Sequence, residues 1–395
     1  MANDNRQNKI ISVFPDTPFF RKLVCKTKIK LAYKTALSNV EIENGERSEQ
    51  KKKKIVEQCK WRWKSSTNKI NEMIDVIFQS IPYYKEKEID LEKIREDMLF
   101  AYYAYGFLPN EYFAFRLENK PPELRKEFIS SRLRMKFRCQ MNNILQAHIF
   151  NDKAETYEFY KEQFHRDAVA IEKPEDFDKF CDFVRRHPVF VKKQVYLAQG
   201  NSVGLVDMQK IKNTENEFFN ELISRGKHIL EEKIVQTDDL AAFNESSVNT
   251  VRAITFNTKH GFKVPYCIIR TGRPGEFVDN SGAGGIQAEI KFETGIIISD
   301  GFDEVGGNYI SHPASGTVFK GYVLPDWNQL KELIFTAAAK VPQLRFIGWD
   351  LAHTQDGWVI VEGNENCYII ALQQIRDKGM RPIFEDLMMD MDLYV

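Results

Sequence analysis

Apolar residues recur every three or four positions through the first third of the chain. In "INEMIDVIFQSI", Ile70, Met73, Ile74, Ile77 and Phe78 fall on one stripe, which predicts an amphipathic helix. "DLEKIREDMLFAYYAYGF" predicts a second helix, opened by Asp90 as N-cap and closed near Gly106 and Pro109. "PPELRKEFISSRLRMKF" reads as one more helix, with Pro122 in its first turn. Lys22 to about Asn142 is therefore expected to be all-helical, with its aromatic residues as core.

The period changes after about residue 143. "HPVFVKK" and "GNSVGLVDM" read as strands joined by a loop over Tyr196–Ser202. "KHILEEKIV", "SVNTVRAITF" and "FKVPYCIIRTG" are further strands. "PDWNQLKELIFTAAAKVP" is an amphipathic helix with Asp326 as its expected N-cap. "FIGWDLAHTQDGWVIVEGN" is a hairpin turning at Gly357. The pattern predicts an α+β second half with mostly antiparallel strands. The expected units are residues 1–142, a helical N-terminal domain, then 143–228 and 229–395, two α+β subdomains.

Composition narrows the function classes. Hydrophobic residues make up 43% and charged residues 28%, as in ordinary globular proteins, and formal net charge is zero. Nothing in the overall charge draws the chain to nucleic acid or acidic lipid. Residues 1–64 hold 16 Lys or Arg against 7 Asp or Glu, including "KKKK" at Lys51–Lys54, which reads as a solvated helix face. Six cysteines are scattered without a CxxC pair, so free thiols are expected rather than disulfides or zinc. No run approaches the roughly 18 apolar residues that cross a bilayer. A cytoplasmic protein is expected.

The chemistry gathers in three stretches. Within "GWVIVEGNEN", Glu362 and Asn364 are two residues apart on a strand and so share a face. With Gln355, Asp356 and Gly357 as a three-residue loop, residue 354 pairs with 358, and Asp350 lies opposite Glu362. A two-residue loop would send Asp350 to the other face. Asp350, Glu362 and Asn364 together would be hard oxygen donors suited to Mg²⁺. In "FVKKQVYLAQGNSVGLVD", Lys192 ends a strand and Gly200, Asn201, Ser202 and Gly204 follow, a loop able to approach phosphate. In "HILEEKIVQTDD" an apolar strand runs into Glu231 and Glu232, then Ile234 and Asp238. Unpaired backbone there could meet an adenine edge, and Asp238 a ribose.

These pieces, in this order, resemble the ATP-grasp superfamily, and more closely its sugar-transfer-associated branch. "YGFLPNEYFAFRL", "EFISSR" and "NDKAETYEFYKEQFH" resemble that branch as well. The resemblance implies an ATP-grasp fold, two α+β subdomains clasping ATP and Mg²⁺, behind the helical domain. It implies Lys153 and Lys192 as nucleotide lysines, although the branch usually has Pro where Lys193 stands. It implies Glu231 to Ile234 as adenine hinge, Asp238 as ribose acid, and Asp350, Glu362 and Asn364 as metal ligands.

Arg252 and Arg270 sit in otherwise apolar predicted strands, where burial demands a partner. A transferred phosphoryl group would be one. Gly282, Gly284 and Gly285 in "VDNSGAGGIQAEI" could form an anion nest. His312 reads as a turn residue. The implied activity is ATP-dependent carboxylate–amine ligation through an acyl phosphate, on a sugar, amino acid or peptide-like substrate. A small-molecule kinase and a nucleotide-binding scaffold are the alternatives.

Overall fold

The structure is a computed structural model that describes residues 17–86, 88–195, 203–211, 214–275, 279 and 284–393. Helices run from residue 18 to residue 141 without a strand among the described residues. The principal ones are α1 (Pro18–Ala32), α2 (Glu49–Arg62), α3 (Lys64–Ser80), α4 (Leu91–Tyr105) and α5 (Ser131–Met141). Ile70 and Ile74 of α3 are buried, as the apolar stripe requires, while Met73 stays exposed. Asp90 caps α4 by accepting from the Lys93 amide, and Gly106 closes it in the left-handed region at φ 81°. Their shared core includes Tyr84, Phe100, Tyr103 and Phe113.

The third expected helix is in fact two. A short turn over Pro122–Arg125 ends, Phe128 and Ile129 plunge into apolar clusters, and α5 starts afresh. Ser130 is the reason for the restart: its hydroxyl accepts from the Leu133 amide at 3.2 Å and donates to the Tyr105 carbonyl at 2.6 Å. The new helix turns Arg132, Arg134 and Arg138 inward, all buried.

All β pairing is antiparallel and forms two sheets. The small sheet has the order β1-β4-β2-β3, from β1 (Ala168–Ile171), β2 (Val189–Gln194), β3 (Val203–Asp207) and β4 (His228–Glu232). One face carries Ile171, Phe190 and Leu230 and is covered by α7 (Phe177–Arg186) and α8 (Glu215–Ser224), with α6 (Lys153–Phe159) preceding the sheet in the chain. The large sheet runs β10-β9-β7-β6-β5-β11-β12, with β8 on β7. Its long strands are β5 (Thr250–Thr258), β6 (Gly261–Thr271), β7 (Ile286–Lys291), β11 (Phe346–Thr354) and β12 (Gly357–Asn364). The short ones are β8 (Ile296–Ile297), β9 (Gly301–Phe302) and β10 (Asn308–Tyr309). One face buries Val251, Ile269 and Trp349 with α9 (Trp327–Ala339). The opposite face packs Ile254, Phe256 and Ile268 against α5 and α10 (Arg381–Met389).

Asp326 does not cap α9. It sits at φ 44° with no cap bond, and its carboxylate lies 3.1 Å from His353 Nε2. All six cysteines are free. Among the described residues no helix is long and apolar enough to cross a membrane.

Helix α5 thus belongs to the large sheet's core although it sits in the helical part of the sequence. Its Arg138 forks onto Glu365, both side chains buried, with Nε at 2.6 Å from Oε2. Asn142 beside it donates to the Phe346 and Glu365 carbonyls. Arg138→Leu or Glu365→Leu should each cost about 3–5 kcal/mol, because each strands a buried charge. The double variant should lose less than either single variant. Urea denaturation of the three proteins checks this.

Candidate active site

The decisive local feature is the last hairpin. Thr354 pairs with Gly357, so the loop is the two residues Gln355 and Asp356, with Gly357 at φ 100° opening β12. A three-residue loop, the expectation above, does not form. Left uncorrected, a two-residue turn would set Asp350 opposite Val361 and turn Glu362 away. Instead the register steps between Asp350 and Leu351: Leu351 pairs with Ile360 and Asp350 with Glu362. Val361 is the extra residue, a β-bulge. The bulge restores the pair of carboxylates, and Asn364 follows on the same face opposite Gly348.

The same row continues across the sheet. Arg252 pairs in register with Asp350, and Arg270 with Thr250, two residues along β5. Asp350, 5% exposed, takes Arg252 in a two-pronged bond, Nε to Oδ1 at 2.6 Å and Nη2 to Oδ2 at 2.5 Å. Arg270 Nη1 adds a third bond at 3.2 Å. Its Nη2 lies 3.3 Å from Asp279, which also accepts from the Thr250 hydroxyl. Burial pushes the Asp350 carboxyl up, but the two guanidiniums outweigh it and hold it below the usual range. Asp279 goes the other way, burial raising it against the pull of Arg270.

A second cluster hangs from the small sheet. Glu231, 4% exposed, meets Lys193 Nζ at 2.8 Å and Arg166 Nε at 2.8 Å. Burial would raise its carboxyl, yet Arg166 and Lys193 lower it to about 2. Arg166 then crosses to the large sheet and donates to the carbonyls of Ile360 at 2.7 Å and Val361 at 3.2 Å. Lys153 opens α6 just after Asp152, which caps that helix. Burial lowers the Lys153 ammonium, the Glu362 charge opposes that, and Lys193 reinforces it. Lys153 thus feels the charges of Glu362, Lys193 and Glu231 where the two sheets meet. The side chains of Glu362 and Asn364 make no hydrogen bond to another described residue.

The expected lysine, Lys192, does not lie with this cluster. Lys192 pairs with Leu230 and lies on the helix-covered face, its Nζ 5.9 Å from the Phe218 ring. Lys193 is the one beside Glu231 and Lys153. Strand alternation allows only one of the two neighbours on each face. Gly204 shares the Lys192 face, where a Cβ would meet Lys192 Cε at 3.3 Å. Glu232 also lies on that face, its carboxylate accepting the Asp167 amide at 3.0 Å. Ladder pairing stops at Glu232, so Ile234 stands on unpaired backbone and Asp238 is exposed at a short helix start, Asp238–Ala241. Gly200, Ser202 and Gly282 lie outside the described residues. Gly284 is at φ 83° and its carbonyl accepts from Arg273 Nε. His312 is fully buried, its Nε2 3.0 Å from the Gly272 carbonyl, away from these clusters.

A family model described as sugar-transfer associated ATP-grasp matches residues 132–387. The chain belongs to the sugar-transfer-associated ATP-grasp family. The match starts inside α5, the helix that packs on the large sheet. ATP binding goes with ATP-grasp membership at the level of the family. Among solved structures, the D-alanine–D-alanine ligase of Coxiella burnetii is 11% identical, covering 63% of this chain and 59% of that one, with TM-score 0.38. The ATP-grasp ligase PsnB, solved with minimal precursor, Mg and ADP, is 12% identical over 66% and 67%, TM-score 0.39. The D-alanine–D-alanine ligase of Bacillus anthracis is 15% identical over 63% and 69%, TM-score 0.39. The chain spans just under three-fifths of the Coxiella protein. No curated protein matches it.

Sequence reading missed Arg166, Lys193 and Asp279. Arg166 stands in "FHRDAVA", where nothing local separates it from a surface arginine. Lys193 would have followed from noticing that its face is the face of Glu231.

Glu231 offers a pH test of this ATP-grasp seam. Its folded pKa lies below the ordinary 4.5, so the ion-paired carboxylate stabilises the fold above about pH 4.5. That contribution disappears as pH falls toward 2, where the folded-state group protonates. Glu231→Gln should therefore be roughly 3 kcal/mol less stable near pH 7, and the gap should close between about pH 4.5 and 2. Urea denaturation of both proteins across that range measures it.

Proposed function

We propose that the chain is an ATP-dependent carboxylate–amine ligase that makes an amide through an acyl phosphate. The observation that carries this reading is the arrangement at the sheet junction. Two facing carboxylates, Asp350 and Glu362, lie among Arg252, Arg270, Lys153 and Lys193. Such a seam suits a polyphosphate with its cation.

The donor set fits Mg²⁺. Asp350 and Glu362 oppose each other, Asn364 follows on the same face, and the oxygens of Glu362 and Asn364 are not committed to described protein donors. Among the described residues no three His, Cys, Asp or Glu side chains cluster as a metal site. The proposed set is consistent with that, because its third donor is an amide. Asp350, Glu362 and Asn364 would hold the cation, which offsets phosphate charge when bound.

The remaining roles follow from placement. Lys153 and Lys193 neutralise phosphate oxygens, Lys193 taking the part first expected of Lys192. The unpaired backbone at Ile234 meets the adenine edge, with Glu231 beside it, and Asp238 receives the ribose. Arg252 and Arg270 stabilise negative charge on the phosphoryl group in transit and on the tetrahedral carbon that follows. The substrate carboxylate takes the terminal phosphoryl group and ADP leaves. The amine then attacks the acyl carbon, loses a proton, and phosphate leaves. Positioning and charge neutralisation supply most of such catalysis, so no protein nucleophile is required. The acid and amine are small molecules of the sugar, amino acid or peptide-like kind.

The decisive experiment screens uronic acids, amino acids and short peptides for ADP release, with and without hydroxylamine. A ligase releases ADP slowly without an acid, faster with the right one, and yields a hydroxamate when hydroxylamine replaces the amine. A stable phosphoester and no hydroxamate would overturn the ligase reading in favour of a kinase. Glu362→Gln should abolish turnover and leave the fold intact; near-normal turnover at saturating Mg²⁺ would refute the metal role.

The lysine assignment has its own test. Lys193→Ala should weaken binding of a non-hydrolysable ATP analogue by about 1.5–3 kcal/mol, the worth of a hydrogen bond to a charged group. Lys192→Ala should change it by less than about 0.5 kcal/mol, because its side chain lies on the other face of β2. Calorimetric titration of both variants decides between the two faces of β2.

A further inference from the structure

The hairpin that carries Asp350 and Glu362 has a turn of the wrong length for that pairing, and only the bulge at Val361 repairs it. A bulge is not self-supporting. It removes backbone groups from the ladder and leaves them needing partners. β12 is moreover the edge strand of the large sheet, so no further strand pins it. The partner that the bulge finds is one side chain. Arg166 donates to Ile360 O at 2.7 Å and to Val361 O at 3.2 Å, the carbonyls at the step. The same guanidinium holds Glu231 at 2.8 Å and donates to Phe164 O at 3.3 Å. It is 9% exposed and lies over the Phe164 ring at 4.3 Å. A planar fork with five fixed donors can serve three carbonyls and a carboxylate together, one acceptor more than the three donors of an ammonium can reach.

We propose that Arg166 is a positioning residue that fixes the register of β12, keeping Glu362 opposite Asp350, and that it ties this register to Glu231 in the small sheet. The inference rests on the nucleotide and metal roles proposed above. Arg166 touches neither Asp350 nor Glu362 and acts through backbone. Its loss lets the step in register relax, so the two carboxylates cease to converge on one cation. Nucleotide contacts that need no cation are affected less. A merely structural ion pair would behave differently, lowering stability without changing the dependence on Mg²⁺.

The test uses the full chain and two variants, Arg166→Met and Arg166→Lys. Binding of a non-hydrolysable ATP analogue is titrated by calorimetry over a series of Mg²⁺ concentrations and in chelator. Both variants should need about tenfold more Mg²⁺ for half-maximal tightening, the usual effect of losing a group that orients metal ligands. Binding in chelator should change by less than about threefold, well below that effect. Unchanged Mg²⁺ dependence, or equal losses with and without Mg²⁺, would overturn the proposal. Should Arg166→Met fail to fold, Arg166→Lys, which keeps a charge for Glu231, decides the matter. Amide hydrogen exchange gives a readout free of any ligand. Residues 349–364 should exchange faster in Arg166→Lys, with β5 to β7 unchanged; exchange equal to wild type would overturn the positioning role. If the unmodified chain itself binds no Mg²⁺–analogue complex, the nucleotide reading fails, and the exchange measurement still decides the role of Arg166.

Discussion

One extra residue in one strand governs the charged seam of this protein. Register in a β-hairpin is all or none, because a slip of one residue moves every side chain to the opposite face. The two-residue turn at Gln355 and Asp356 would direct Glu362 away from Asp350. The Val361 bulge cancels the slip at its position and leaves the turn-proximal pairing intact, so Trp358 and Ile360 stay in the core while Glu362 rejoins Asp350. A single sequence therefore satisfies an apolar requirement near the turn and a polar one at the strand end. The bulge is what separates the two.

The charges on either side of that strand are arranged to be held without being neutralised into inertness. A buried carboxylate costs several kcal/mol unless paired, and each buried acid at the seam has at least one cation. Asp350 has two, Arg252 and Arg270; Glu231 has Arg166 and Lys193. Glu362 differs, since its side chain makes no ion pair or hydrogen bond with another described residue, although its charge acts on Lys153. The result is a seam with anionic centres fixed in place and cations around them. That is the electrostatic pattern expected where a cation and a phosphate chain are bound together.

Much of this was legible in the chain, and the failures have identifiable causes. The helix over Ile70–Phe78, the capped helix from Asp90 to Gly106 and the long strands other than β7 were readable, because periodicity and caps are local. So was the convergence of Asp350, Glu362 and Asn364, although for a different reason than turn length. Nothing local in "DLAHTQDGWVIVEGN" announces a bulge at Val361, whose carbonyl partner lies far upstream. The choice between Lys192 and Lys193 turned on parity along β2, which only the pairing with β4 fixes. The break before Ser130 was hidden because what ends the first turn is tertiary: the adjacent Phe128 and Ile129 bury in separate clusters. Asp326 was read as a cap by its type; its carboxylate is taken instead by His353, from a strand later in the chain.

The same strand is gripped a second time, beyond the seam. Directly after Asn364, Glu365 is forked by Arg138, and Arg134 donates to the Asn366 side chain and the Cys367 carbonyl. Arg134 also lies over the Tyr368 ring at 4.6 Å. Both arginines come from α5, so the segment leaving the seam is held by a helix that sequence alone assigns to the N-terminal region. Arg166 grips the strand before Glu362 and α5 grips it after Asn364, and all three arginines lie outside the large sheet. An edge strand is the part of a sheet most free to slip, since one side of its ladder is open. Here Arg166 holds two carbonyls of that strand, and α5 holds the segment that follows it. This explains why α5 is inseparable from the sheets it precedes. Asp350, Glu362 and Asn364 thus sit on a strand pair whose outer member is tied both to the small sheet and to the helical region.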